Sequence, residues 1–180
     1  MDISIKKTKE ERIYQGFFNL RIDHFLDEKL KHHEYMCLES TADGVVVLAE
    51  TDNHQYVIVQ EHRYPVGKKI LSLPGGRVNS FEPPLDAAKR EFLEETGYTA
   101  DTWDLLGEFY PFPSASDQKI WVFWARNLSK ISLPHYDPLE IISYSLLELK
   151  DIFSLNPQQA KLDSTIPMAL FLKSRSDFKN

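Results

Sequence analysis

Three glutamates, at positions 91, 94 and 95, constrain this chain more than any other feature. They stand at i, i+3 and i+4, so on a helix they share one face. Like charges packed that way destabilise a helix, and a divalent cation is the usual reason to tolerate them. An all-oxygen ligand set is hard and suits Mg²⁺ or Mn²⁺. The local sequence predicts that helix. Pro83 and Pro84 fit its start, where a missing N–H costs nothing. Residues 85–95 are mostly good helix formers, and Leu85, Ala88 and Phe92 fall at i, i+3 and i+7 as a buried stripe. Gly97 supplies a stop. Upstream, Leu73-Pro74-Gly75-Gly76 predicts a tight loop where backbone approaches a ligand closely.

Glutamates on a helix face are usually just solvated. The spacing argues otherwise here. Gly76 is followed after five residues by Glu82 and after seven more by Arg90-Glu91, with Glu94-Glu95 and Gly97 closing the run. Chance rarely matches so many specified positions.

The rest of the chain bounds the setting. A length of 180 residues predicts one domain with a sizeable core. The formal charge of -6 argues against non-specific nucleic-acid binding, which needs a basic face. It does not exclude a phosphorylated substrate, because a bound metal inverts the local field. The single Cys37 excludes an intrachain disulfide. No apolar run approaches the ~18 residues of a membrane span, and residues 1–7 lack the apolar core of a signal peptide. A cytoplasmic location is the expectation.

Val45–Ala49 and Tyr56–Gln60 read as strands around a turn at 51–54, with Leu105–Tyr110, Ile120–Ala125 and Ile141–Ser145 as further strands. Leu146–Leu155 reads as a short helix and Thr165–Lys173 as a second, with Pro167 near its start. Residues 13–23 read as another strand or hairpin ahead of these. Strands surrounding one acidic helix, with helices at the end, predict an α/β or α+β sandwich.

The run from Gly76 to Tyr98 resembles a complete Nudix box, G-x5-E-x7-R-E-U-x-E-E-x-G-U, with Phe92 and Tyr98 at two bulky apolar positions. The resemblance implies a Nudix fold: a mixed β-sheet between helices, in which a loop–helix–loop holds Mg²⁺ against a pyrophosphate. It implies Glu91 and Glu95 as main metal ligands, Glu94 as a third, and the Gly75 carbonyl as a backbone ligand. Arg90 would orient the carboxylates, and Glu82 would pair with Arg90 or order the loop.

Further features are similar to the ADP-ribose pyrophosphatase and nucleoside-diphosphate-sugar hydrolase branch. An N-terminal β extension (residues 1–43) precedes the hydrolase domain (44–180) and, by resemblance, exchanges between subunits of a homodimer. Gln60-Glu61-His62-Arg63-Tyr64-Pro65-Val66 resembles that branch's Q-x-R-x-P-V segment, so Arg63 is expected on the diphosphate or at a subunit interface; a surface ion pair is the plain alternative. Pro113 fits the proline that follows the box there. Phe17, Phe18 and Tyr14 are candidates to stack on the nucleobase, or are strand core residues. Ser72 departs from the pattern, since many ADP-ribose pyrophosphatases carry a glutamate at this place.

The expected chemistry is hydrolysis of a nucleoside-diphosphate sugar, ADP-ribose favoured, to AMP and ribose 5-phosphate. Two or more Mg²⁺ ions, with Mn²⁺ the alternative, would polarise a phosphoryl oxygen and activate water. Glu140 is the first candidate for general base, with Asp137, His135 or a box glutamate behind it. GDP-mannose or another sugar nucleotide is the alternative substrate. A nucleoside-triphosphate pyrophosphohydrolase leaves the N-terminal extension unexplained. A non-catalytic nucleotide-sugar sensor would be expected to carry a damaged box.

Overall fold

A computed structural model describes residues 5–135, 142–155 and 161–177. The chain divides into two compact units, one of Met1–Asp43 with Tyr110–Lys119, the other of Gly44–Phe109 with Ile120–Asn180.

The first unit is an antiparallel sheet of β1 (Lys6–Tyr14), β2 (Phe18–Leu26) and β3 (His32–Ser40), in that order. Strand alternation gathers charge on one face. Asp23 is buried there between Arg21, 3.0 Å away, and Lys7, 2.9 Å away, and Arg21 also pairs with Glu39. The segment 110–119 lies along β3: the Leu38 N–H donates to the Ala115 carbonyl and the Ser40 N–H to Asp117 Oδ1, each at 2.7 Å. The sequence predicts a strand or hairpin over residues 13–23, which takes in the end of β1, the turn and the first part of β2. Most of β1 and all of β3 escape it, because Lys6-Lys7-Thr8-Lys9-Glu10-Glu11 and His32-His33-Glu34 show no apolar alternation.

The second unit contains β4 (Gly44–Ala49), β5 (Gln55–Arg63), β6 (Lys68–Ser72), β7 (Gly75–Arg77), α1 (Pro84–Thr96), β8 (Tyr98–Phe109), β9 (Ile120–Lys130), β10 (Ile142–Glu148), α2 (Leu149–Ser154) and α3 (Thr165–Asp177). One sheet runs β10-β5-β6. The other runs β7-β4-β9-β8 and is mixed, since β4 and β9 are parallel and the remaining pairs antiparallel.

β4 shows why helices cover both faces of that sheet. Its six residues are all buried, as expected of a strand with no solvent side. Val45, Val47 and Ala49 cluster with Ala87, Ala88 and Phe92 of α1. Val46 and Leu48 cluster with Ile152 of α2 and with Ile166 and Ala169 of α3. The result is the mixed sheet between helices that the sequence predicts, and a helix α1 that is packed on one side and polar on the other.

Two local expectations change. Gly75 and Gly76 form not a loop but the edge strand β7, paired with Val46 and Val45 of β4. Leu146 and Leu147 belong to β10 rather than to a helix, because each pairs across to β5, at Val57 and Tyr56. Strand β8 also begins immediately after α1, at Tyr98. Its first half, Thr99 to Asp104, is too polar to be read as a strand from the sequence alone. Among the described residues, no helix is long and apolar enough to cross a membrane.

Candidate active site

Helix α1 is bounded as its sequence dictates. Pro83 sits at the N-cap in extended geometry and Pro84 opens the first turn. At the other end Gly97 adopts φ 72° and donates its N–H to the Leu93 carbonyl at 2.8 Å. A side chain at 97 would also collide with the Ser132 carbonyl oxygen, 2.1 Å from an added Cβ. The segment after β9 passes close to the helix end here and is bonded to it. The Gly97 carbonyl accepts from Ile131 (2.9 Å) and Ser132 (3.2 Å), and the His135 N–H donates to the Glu94 carbonyl at 2.7 Å.

The polar side of α1 is organised on Arg90. Its Nε and Nη2 reach the two carboxylate oxygens of Glu82 at 2.9 and 3.0 Å, a bidentate fork. Its Nη1 reaches Glu91 Oε1 at 2.8 Å and Glu94 Oε2 at 3.2 Å, and Nη2 also donates to the Arg77 carbonyl at 3.0 Å. The loop from β7 to α1 closes on the same point, because the Asn79 N–H donates to Glu82 Oε2 at 2.9 Å. The bond from Arg90, joined by that from the Asn79 N–H, holds the Glu82 carboxyl down at about 2. In return, Arg90 is held above the ordinary guanidinium range, first by its bonds to Glu82 and then, against the effect of burial, by Glu91.

Glu95 is buried, and its Oε2 accepts the Gly75 N–H at 2.9 Å, tying the helix to the edge strand. Gly76, the next residue along that strand, lies against Glu91. A Cβ at 76 would stand 2.4 Å from Glu91 Cδ, so a side chain there would displace this carboxylate from its place against the strand.

Among the described residues, no three carboxylate, histidine or cysteine side chains converge on one point as a ready-made ion site. Arg90 Nη1 stands between Glu91 and Glu94. The donor set still fits a hard divalent cation: three glutamates from one helix beside a strand backbone that Gly76 keeps clear.

The sequence-derived candidates thus fall into distinct places. Gly75, Glu82, Arg90, Glu91, Glu94 and Glu95 come together on α1 and the segment before it. Arg63 ends β5, half-exposed, and pairs with Glu61 at 2.9 Å. Burial pushes the Glu61 carboxyl up, Arg63 opposes this and Asp163 adds to it. Phe17 and Phe18 lie in the first unit, edge to face with centroids 5.1 Å apart. Pro113 lies in the same unit and lines a cavity of about 390 Å³ with Arg21, Tyr35, Cys37 and Tyr110. His135 is exposed at the C-terminal end of α1. Glu140 and Asp137 lie outside the described residues. Sequence reasoning missed Asn79, whose only advance signal is an Asn-Ser pair in a connecting loop, and missed Glu61 as the partner of Arg63.

Comparison with known proteins shows the family. The family model described as NUDIX domain matches residues 40–167. An ADP-ribose pyrophosphatase of Bacillus subtilis is 32% identical over 128 residues, covering 71% of this chain and 69% of that protein. A methanol dehydrogenase activator of Bacillus methanolicus is also 32% identical over 128 residues, covering 69% and 68%. A crystal structure of an ADP compounds hydrolase superposes with a TM-score of 0.81 over 95% of this chain and 92% of that one; at 19% identity it is similar in fold. The chain belongs to the NUDIX domain family and is a hydrolase.

Proposed function

We propose that the protein hydrolyses the pyrophosphate bond of nucleoside-diphosphate sugars, with ADP-ribose the leading substrate and Mg²⁺ the working cation. The observation that carries this reading is the intact glutamate set on α1 organised by Arg90. The B. subtilis relative's name, ADP-ribose pyrophosphatase, supports the choice of substrate.

Glu91, Glu94 and Glu95, with the Gly75 carbonyl, are the proposed ligands for two or more ions. Bound there, a divalent cation polarises a phosphoryl oxygen and lowers the pKa of water. The chain's own residues do the remaining work. Arg90 fixes the carboxylates of Glu91 and Glu94, and Glu82 fixes Arg90, so the helix face is preorganised before substrate arrives. Glu95 sets the distance between α1 and β7 through the Gly75 N–H. Glu140 is the proposed base, with Asp137 and His135 behind it. It takes a proton from water as the water oxygen attacks phosphorus, the P–O–P link breaks, and AMP and ribose 5-phosphate leave. Arg63, at the end of β5, is proposed to bind the diphosphate; its planar guanidinium suits that group. Phe17, Phe18 and Pro113 are the proposed contacts to the rest of the substrate.

Residues 1–43 are proposed as a dimerising extension and 44–180 as the hydrolase domain. The sheet of β1, β2 and β3 exposes Ile13, Tyr14 and Met36, and the β1–β2 turn exposes Phe17, a composition that suits burial against a second copy. Light scattering at micromolar concentration tests this, and a monomer would remove it. A single cysteine and acidic charge suit the reducing cytoplasm.

The experiment is phosphate release from a panel of sugar nucleotides and nucleoside triphosphates, with Mg²⁺, a coupled phosphatase and an EDTA control. Metal-dependent release from ADP-ribose with triphosphates inert is expected. Preference for GDP-mannose would redirect the substrate, and a flat panel would overturn the reading.

A further inference from the structure

Two arginines of the second unit enter the reading above, and the fold engages them to different extents. Every guanidinium nitrogen of Arg90 is occupied. Nε and Nη2 hold Glu82, Nη1 holds Glu91 and Glu94, and Nη2 also reaches the Arg77 carbonyl. Arg63 is held at one point. Its Nη2 stands 2.9 Å from Glu61 Oε2, and among the described residues its other guanidinium N–H groups have no partner. A guanidinium carries five N–H donors in a planar fork, so most of those on Arg63 are open to a ligand.

Strand register fixes the side on which this pair lies. β5 pairs with β6 without a bulge, from Val59 opposite Ser72 to Arg63 opposite Lys68, so alternate residues share a face. Val57 belongs to the cluster with Ala87, Ala88 and Phe92 of α1. Val59 lies opposite Tyr144, which packs against that cluster. Glu61 and Arg63 continue the same face, so the side of the sheet that α1 covers ends in the open fork of Arg63.

Glu61 is the unexpected member of that face. It stands directly between Ile70 of β6 and Ile142 of β10, and its side chain keeps only 16% of its exposure. Asp163 gives no relief, because its charge adds to the upward push of burial on the Glu61 carboxyl, and its Oδ1 already accepts the Thr165 N–H at 2.9 Å. Arg63 is the charge that answers Glu61. The dependence also runs the other way. The Arg63 side chain is 46% exposed, and a long side chain left free there would lose its rotamer freedom on gripping a ligand. A carboxylate seated within the sheet takes one corner of the guanidinium beforehand and leaves the rest open.

We infer that Glu61 is a positioning residue, which holds Arg63 on the α1 face with its open N–H groups presented to the substrate's diphosphate. This rests on the nucleoside-diphosphate reading above, with Arg63 as the diphosphate contact.

The test is a double-mutant cycle on Glu61 and Arg63. It reads the calorimetric affinity for methylenediphosphonate, a diphosphate analogue whose P–C–P bridge water does not cleave, with Mg²⁺ present. Glu61→Met fills the space between two isoleucines without the charge, an exchange that folds tolerate well. It should bind the analogue about tenfold more weakly, the scale on which a residue that only supports a binding group acts. Glu61→Gln keeps an acceptor and should recover part of that loss. Arg63→Ala should lose at least as much as Glu61→Met, and adding Glu61→Met to it should change nothing further. The KM for ADP-ribose should rise in Glu61→Met with kcat kept. Additive losses in the cycle would overturn the inference, since Glu61 would then act independently of Arg63. So would wild-type affinity in Glu61→Met at any melting temperature, which would make the pair purely structural. Tighter binding in that variant would make the carboxylate a competitor for Arg63, and no binding by wild type would leave Arg63 without a diphosphate; either result refutes the assignment. A wild type that binds the analogue but leaves ADP-ribose intact would sink the proposed substrate, while the cycle would still decide the role of Glu61.

Discussion

Two charged clusters flank the mixed sheet of the second unit, and they are built on opposite principles. On the α1 side, the guanidinium of Arg90 is shared by the carboxylates of Glu82, Glu91 and Glu94. On the α3 side, the single carboxylate of Glu50 is shared by several donors. Lys173 lies at 3.4 Å, the Trp124 Nε1–H donates at 3.1 Å, and His54 Nδ1 stands at 2.9 Å. Lys173 also lies 4.8 Å from the Trp124 ring centroid and 5.9 Å from that of Tyr56. Burial pushes the Glu50 carboxyl up, but the bond to His54 and the charge of Lys173 outweigh it and hold it below the usual value. Each carboxylate oxygen of Glu50 is thus answered from within the fold. The lesson is one of stoichiometry. A cluster rich in donors around one carboxylate ties a helix to a sheet, whereas on the α1 side three carboxylates share one guanidinium, a surplus of negative charge that suits the cation proposed above.

The comparison breaks if the two clusters respond alike to mutation. The largest effect is expected from Glu95→Gln. Activity should fall by at least about a hundredfold, beyond the 10–100-fold typical of residues that only support ligands, with the far-ultraviolet spectrum unchanged. Full activity in this variant would refute the metal-site assignment. Next, Lys173→Met should leave kcat/KM at the wild-type level while lowering stability by about 2 kcal/mol, the scale of a lost hydrogen bond to a charged group. Urea unfolding measures this, and an activity loss at matched folding would mean that the α3 cluster is not merely structural. The smallest effect concerns pH. The folded-state value of Glu82, about 2, lies below its ordinary 4.5. Its contribution to stability is therefore present above about pH 4.5 and lost as pH falls toward 2. Melting temperature followed across that window should drop less in Glu82→Gln than in wild type. Parallel curves would show that Arg90 stabilises Glu82 no more in the folded state than in the unfolded one.

Much of the α1 cluster is legible in the sequence because its signal is local. Helix start, glutamate spacing and the Gly97 stop all fall within one stretch, and the structure has α1 from Pro84 to Thr96 with Gly97 as its cap. The sandwich is legible too, since β4 is apolar throughout and so demands cover on both faces. What escapes depends on partners far along the chain. Gly75 and Gly76 become a strand only by pairing with β4. Leu146 and Leu147 look helical until β5 claims them. The whole Glu50 cluster joins residues 50, 54, 124 and 173, between which no spacing rule operates.

The central claim, that the carboxylate face of α1 is a cation site and the Glu50 cluster is not, is tested most directly by titrating Mn²⁺ and counting bound ions by electron paramagnetic resonance. The account predicts binding to wild type and to Lys173→Met, and loss of binding in folded Glu91→Gln and Glu95→Gln. Undiminished binding in those two glutamate variants, or loss of it in Lys173→Met, would contradict it.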